Sequence, residues 1–425
     1  VGATDDEDGV LWGKIRAGVQ AATVTVQVTG GSGKLDAWLD FNNDGDWTDP
    51  GEQILTSTSV VAGQNSLTFS VPPDVIVGTT FARFRLSTVG GLTPTGTADD
   101  GEVEDYSVTV RPVNTAPVIQ AWDTLVAYTE NSAPVILDDN VTLADTTSSN
   151  FNSGQLTVQL TTNVEAATDL LEILNQGENP GQVGVTLGLT NTVRFGGIEV
   201  GTYTSGPTLS VNWNANATVE AVQAVLRCLT FQTTSEDPST LPRTVTVLVT
   251  DGDGGTSGLV SKTIQVTAVN NAPVISGLDA AIQYITRDDP ILIAENAVLT
   301  DSDSPNFESG QLTLEIVNPP STRDRLGIRF TGSLLGQISV NNSTKTISYS
   351  GLPIGTYQRY KNLLVITFNA SATKTAVEKL IQSLTFSTSS PGTSARTVRV
   401  SVSDGDGGLS AAVTRTILVA RRRRN

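Results

Sequence analysis

Alternating hydrophobic and polar residues run through most of the chain. Thr23-Val24-Thr25-Val26-Gln27-Val28, Leu156-Thr157-Val158-Gln159-Leu160 and Thr397-Val398-Arg399-Val400-Ser401-Val402 place apolar, often β-branched side chains at every second position. A period of two sends successive side chains to opposite faces, so each segment predicts a strand with one buried face. Clusters of Gly, Pro, Asn, Asp and Ser punctuate these runs at intervals suited to β-sandwiches. Two segments change period. Val219, Val222, Val225, Leu226 and Leu229, then Val377, Leu380, Ile381 and Leu384, recur at helical spacing behind Thr218 and Thr373. Each predicts a short capped helix packed by one face on a sandwich. The fold class expected is all-β.

Internal repetition orders these elements. Ala116-Pro117-Val118-Ile119 returns as Ala272-Pro273-Val274-Ile275, and Phe151-Asn152-Ser153-Gly154-Gln155-Leu156-Thr157 as Phe307-Glu308-Ser309-Gly310-Gln311-Leu312-Thr313. Leu229-Thr230-Phe231 returns as Leu384-Thr385-Phe386, and Asp251-Gly252-Asp253-Gly254-Gly255 as Asp404-Gly405-Asp406-Gly407-Gly408. Ordered matches with small drift mean modules of one topology. The predicted organisation is a β-sandwich over residues 1–113, two repeats over 114–269 and 270–420 with one helix each, and a basic tail, 421–425. Cys228 lies on the first helical segment, and Ser383 takes its place in the second. A small, packed, unreactive residue is therefore expected there.

Composition narrows the chemistry. There is no histidine, which removes imidazole bases and the usual zinc ligand, and a single cysteine allows no intrachain disulfide. The 43 acidic against 26 basic residues give a formal charge of −17. That balance disfavours nucleic acid and anionic membranes and favours divalent cations. No apolar run reaches the ~18 residues of a membrane span, so membrane insertion is not expected. The absence of methionine leads to the expectation that a leader has been removed, and the chain reads as extracellular or cell-surface.

The densest candidate chemistry is Asp40-Phe41-Asn42-Asn43-Asp44-Gly45-Asp46. Oxygen-bearing side chains at every second position, with Gly before the last, suit a loop wrapped around a hard cation, and Ca2+ is the cofactor expected. Glu52 is a possible closing ligand. Asp6, Glu7 and Asp8, or Glu102, Glu104 and Asp105, are candidates to join it; Asp6, Asp8 and Glu104 are taken into the predicted set. An Asp-Gly turn alone accounts for less than this: two carboxylates ~4 Å apart repel by roughly 4 kcal/mol at an effective dielectric of 20. Further candidate ligands fall in the repeats. The later repeat offers Glu295, Asp301, Asp303, Asn306, Asp404 and Asp406, with Asn270 and Asn271 at its entry; the earlier offers Asp139, Asp145, Asn150, Asp251 and Asp253 as the counterpart, of which Asp145, Asp251 and Asp253 are taken into the predicted set.

Two resemblances follow from these strings. Residues ~1–112 resemble a GEVED module through Gly101-Glu102-Val103-Glu104-Asp105, the acidic run Asp5-Asp6-Glu7-Asp8, Trp38-Leu39-Asp40-Phe41 and Asp44-Gly45-Asp46-Trp47. The resemblance implies a β-sandwich from a large secreted bacterial surface protein, with no known catalytic activity. Residues ~114–420 resemble two bacterial cadherin-like repeats. Asn270-Asn271-Ala272-Pro273-Val274 is similar to the linker in which cadherins hold calcium, and Thr300-Asp301-Ser302-Asp303 to their acidic loop. In the earlier repeat Asp145-Thr146-Thr147 lacks one of those carboxylates.

The function expected is that of a calcium-stabilised extracellular structural or adhesive protein, not an enzyme. Homo-oligomers or filaments formed by strand addition are the expected assemblies. An array of carbohydrate-binding modules is the alternative, with Trp12, Trp38, Trp47, Trp122, Trp213 and Tyr203 as candidates for surface glycans. A glycoside hydrolase built on Asp99 with Glu102 or Glu104 is the third reading.

Overall fold

The computed structural model describes residues 9–278, 280–318 and 321–421. Asp6, Glu7, Asp8 and the tail arginines beyond Arg421 lie outside the described residues. Two compact units divide the chain. Val1–Val126, Pro134–Gln232 and Pro242–Gln265 form one, and Ala127–Ala133, Thr233–Leu241 and Val266–Asn425 the other.

The fold is all-β, in three tandem sandwiches. In the first, a five-stranded sheet runs Ile15–Arg16, Glu102–Arg111, Gly78–Ser87, Gly33–Leu39, Gln53–Val60, and a three-stranded sheet runs Val10–Trp12, Ala22–Val28, Gly63–Phe69. Ala22–Val28 buries its apolar positions and exposes or half-exposes the residues between, as its alternation predicts. Val24, Leu35, Ala37, Leu39, Phe84 and Val110 meet between the sheets. Gly33–Leu39 is buried on both faces towards its end. Two arginines of Gly78–Ser87 account for the outer face by holding the loop that follows that strand. Arg85 donates to the carbonyls of Thr93 and Gly96 (2.6 and 2.9 Å), and Arg83 to that of Pro94 (3.0 Å). Asp36, fully buried beneath, accepts from the Ser57 and Leu92 amides.

The second and third modules share one topology. Each has an eight-stranded, a three-stranded and a two-stranded sheet with strands in corresponding order. Helix α1 (Val219–Arg227) and helix α2 (Lys374–Gln382) occupy corresponding places, and both are capped as predicted. Thr218 accepts from the Ala221 amide and Thr373 from that of Ala376. Ala221, Val222, Val225 and Leu226 are buried on one helix, and Ala376, Val377, Leu380 and Ile381 on the other. Cys228 and Ser383 both follow as C-caps and are buried; burial pushes the Cys228 thiol up to about 11, which leaves it unreactive. A sealed ion pair recurs as well. Arg243 binds Asp169 at 2.8 Å in one module, and Arg396 binds Asp324 at 2.9 Å in the other. Among the described residues no helix is long and apolar enough to cross a membrane.

Candidate metal centres

The loop after Gly33–Leu39 is wound by its own oxygens. Asn42 Oδ1 accepts from the Asp44 amide (3.0 Å), Asp44 Oδ1 from that of Asp46 (3.1 Å), and Asp46 Oδ1 from that of Thr48 (2.8 Å). Each bond spans two residues, so the alternating side chains turn the backbone around themselves. Gly45 sits at φ +93°, a conformation that explains the glycine. Hydrogen bonds from the Thr48 hydroxyl and amide hold the Asp46 carboxyl below its usual range. Glu52 closes the loop: it is 2 % exposed and accepts from the amides of Phe41 and Asp49. Burial pushes its pKa up, outweighing those bonds.

Oxygens of Asp44, Asp46 and Asp49 lie within 4.8 Å of one another. Asp49, overlooked in the sequence, continues a three-residue spacing of acids (Asp46, Asp49, Glu52) that would have marked it. Asp40 is 2 % exposed; its Oδ2 accepts from the Gly45 amide at 3.0 Å, while its Oδ1 is buried with no partner. A sealed carboxylate oxygen without a donor is costly, and a cation is what such an oxygen fits. The set is all oxygen and mostly anionic, as a hard divalent ion requires.

Glu104 stands elsewhere. It accepts a hydrogen bond from the Tyr106 hydroxyl and lines a small cavity with Gly9, Val10 and Phe84. Asp105 is also committed, gripped by both arms of Arg83 (2.6 and 2.5 Å). The Arg83 guanidinium lies 4.3 Å from the Trp47 ring, whose Nε1 donates to Phe81 O. Asp105 thus braces the loop's flank through Arg83 and Trp47, while Glu104 is turned away from the loop. Glu102 and Asp99 are exposed.

In the third module the structure brings Asn270, Asn271, Asp301, Asp303, Asp404 and Asp406 into one bonded neighbourhood. Asp404 Oδ1 accepts from the amides of Asp406, Gly407 and Gly408, and its Oδ2 from Asn270 Nδ2 (2.9 Å). A Cβ on Gly408 would stand 2.1 Å from Asp404 Oδ2, which explains the second glycine of the pair. Asp303 Oδ2 accepts from the Asn271 amide (2.7 Å), and Asp301 Oδ1 from that of Ser304 (3.1 Å). Asp301 Oδ2 and Asp303 Oδ1 remain, buried and unpartnered. Burial, and secondarily Asp303 alongside, raises the Asp301 carboxyl above its usual range. Glu236 adds an acid the sequence did not suggest, accepting from Asn271 Nδ2 at 3.0 Å. Glu295 lines a different cleft with Arg329 and Lys379, and Asn306 caps the Glu308 amide.

The second module repeats the turn with different charges. Asp251 accepts from the amides of Asp253 and Gly255 and from Asn114 Nδ2. Asp145 Oδ1 accepts from the amides of Thr147 and Ser148, leaving its Oδ2 buried and unpartnered. Asp253 is bound by Lys14 (2.6 Å) and Arg16 (2.5 Å).

The aromatic side chains offered for sugars are not a platform. Trp38, Trp213 and Tyr203 are buried, and Trp12, Trp47 and Trp122 half-buried.

Residues 34–109 match the GEVED domain family. No curated protein matches the chain in sequence. Among solved structures, the chain is similar to protocadherin gamma B2 extracellular cadherin domains 3–6 (12 % identity, 98 % of this chain and 77 % of that one, TM-score 0.23). It is also similar to Drosophila N-cadherin EC1-4 (12 %, 96 % and 72 %, 0.24) and to the fibronectin(III)-like modules of Clostridium thermocellum CbhA (13 %, 60 % and 89 %, 0.24).

Proposed function

We propose that the chain is an extracellular structural or adhesive array whose sandwiches are stiffened by Ca2+, from a bacterial surface protein. The reading includes no catalytic step, and it includes self-association through open sheet edges. The observation that carries it is the adjacent pair of unpartnered carboxylate oxygens on Asp301 and Asp303, with Asp40 Oδ1 as an independent second instance. Asp301 and Asp303 would hold an ion in the third module, and Asp44, Asp46 and Asp49, with Asp40 and Asn42 beside them, one in the first. A bound cation turns the mutual repulsion of these carboxylates into shared attraction. Its role is mechanical: it fixes loops that otherwise splay.

Melting with and without EGTA tests this. At calcium ~10-fold above its dissociation constant, each site adds about 1.4 kcal/mol. That corresponds to a rise of roughly 3–6 °C for a domain of this size. Asp301→Asn with Asp303→Asn should abolish the shift of the third module while leaving that of the first. Identical melting curves in calcium and EGTA would sink the reading.

A further inference from the structure

The acidic turns of the second and third modules occupy equivalent places, yet their charge is balanced differently. Asn114 and Asn270 hold Asp251 and Asp404 at 2.8 and 2.9 Å, and Asp145 corresponds to Asp301 and Asp253 to Asp406. Thr147 stands where the third module has Asp303, which removes one carboxylate. The Arg16 guanidinium, its side chain 3 % exposed, reaches in from the first module. Nη2 donates to Asp253 Oδ2 (2.5 Å) and to Thr147 O (3.1 Å), and Nη1 donates to Pro112 O (3.3 Å). Lys14 Nζ takes the other Asp253 oxygen at 2.6 Å. The Asp253 side chain is 5 % exposed; burial works against its charge, but Lys14 and Arg16 outweigh burial and hold its pKa below the usual range.

Among the described residues the third module's site has no such cation. Asp406 is exposed, and among the described residues no Lys or Arg pairs with the carboxylates of Asp301, Asp303, Asp404 or Asp406. Lys374 donates only to the Asp301 backbone carbonyl, at 3.1 Å. In the second module Asp253 alone meets both side-chain cations; in the third, among the described residues, none of the four carboxylates meets one.

We infer that Arg16, assisted by Lys14, is the resident cation of the second module's acidic site. It ties the first module to the second where the third module's site takes a divalent ion. A guanidinium suits this work because it stays charged, is weakly hydrated and offers a planar fork to carboxylate and carbonyl together. Both Asp253 oxygens are occupied by it and by Lys14, Asp251 spends its own on the turn and on Asn114, and Asp145 Oδ2 is left without a partner. The consequence is selectivity: chelation loosens the third module's site and leaves the first joint closed. That contrast rests on the calcium reading; the Arg16 clamp itself does not.

Hydrogen exchange on the full chain tests it, with wild type, Lys14→Ala/Arg16→Ala and Arg16→Lys each in Ca2+ and in EGTA. The peptides read are 112–117 and 145–148, with the strand at 155–162 as a control for folding. Wild type should protect both peptides equally in the two buffers. The double variant should lose about tenfold protection or more there with the control strand intact, and Arg16→Lys should fall between. Loss of protection at 145–148 in wild type on adding EGTA overturns the inference, as does a double variant protected like wild type. An EGTA-insensitive peptide at 301–304 would instead overturn the calcium reading and leave the clamp standing.

Discussion

Asp138 and Lys262 form an ion pair 2.8 Å long, with side chains 1 % and 2 % exposed. The ammonium also donates to Leu137 O and lies 5.0 Å from the Trp122 ring centre. The third module dispenses with the pair. Ala294 takes the place of Asp138, and Arg415 takes that of Lys262, reaching the carbonyls of Ala280 and Ile293. Removing one partner of a sealed pair strands the other charge, so Asp138→Ala should destabilise its module by about 3–5 kcal/mol. Asp138→Ala with Lys262→Arg should recover part of that, because a longer fork reaches backbone acceptors. Burial raises the Asp138 pKa, but Lys262 and the amides of Asp123 and Asn140 outweigh it and hold it below its usual range. A depressed folded pKa stabilises above the unfolded value, and that stabilisation is lost as pH falls through the folded one. Urea titrations of wild type should therefore weaken towards low pH, and those of the double variant should weaken less. The same scale explains what the sequence did and did not reveal. The spacing of Asp44 and Asp46 is local, so their convergence was readable; that Glu104 lies opposite Phe84 and Asp105 opposite Arg83 is set by strand pairing, which no local spacing reports.

Strands and helices were legible where burial is one-sided. Ala22–Val28 and Arg396–Val402 alternate because one face meets a core, and α1 and α2 carry both an apolar stripe and a capping threonine. Elements of two residues, such as Ile15–Arg16 and Val135–Ile136, are too short to show a period and exist through their partners. The repeated Asp-Gly-Asp-Gly-Gly string marks the Asp251 and Asp404 turns as candidate ligand loops; their carboxylates close the turn, a use that spacing does not distinguish from coordination. Sheet edges carry the next expectation. Val183–Thr186 and Ile338–Asn341 each end an eight-stranded sheet; Val183 is bonded back to Gln176 and Ile338 to Thr331, so each edge is open only beyond those residues. Strongly exposed Leu187 and Leu189 follow the first, and Leu334 and Leu335 precede the second. An open edge beside apolar residues is a template for another strand. Light scattering at high concentration with calcium should show species larger than the monomer. Leu335→Lys with Leu189→Lys should shift them to lower mass; a strictly monomeric wild type would dismiss strand addition.

Over the whole molecule the formal charge of −17 offers a rival explanation for any stabilisation by calcium. Diffuse repulsion among surface acids is relieved by any electrolyte, and at 0.15 M salt the Debye length has already fallen to about 8 Å. Coordinated carboxylates behave differently, because buried or clustered oxygens exchange water for a cation of fixed charge and size. Asp40 Oδ1 and Asp301 Oδ2 are closed to a diffuse ionic atmosphere, so screening does little for them. The two accounts separate when sodium and calcium are titrated against each other. With sodium chloride held at 0.15 M, about 1 mM Ca2+ should still raise the melting temperature, by roughly the 3–6 °C expected of an occupied site. Magnesium at the same concentration should do less, since it gives up its water reluctantly and needs tighter geometry than this loop of successive two-residue turns provides. Calcium stabilisation that vanished in 0.15 M sodium chloride would mean the acids are a charged surface and nothing more.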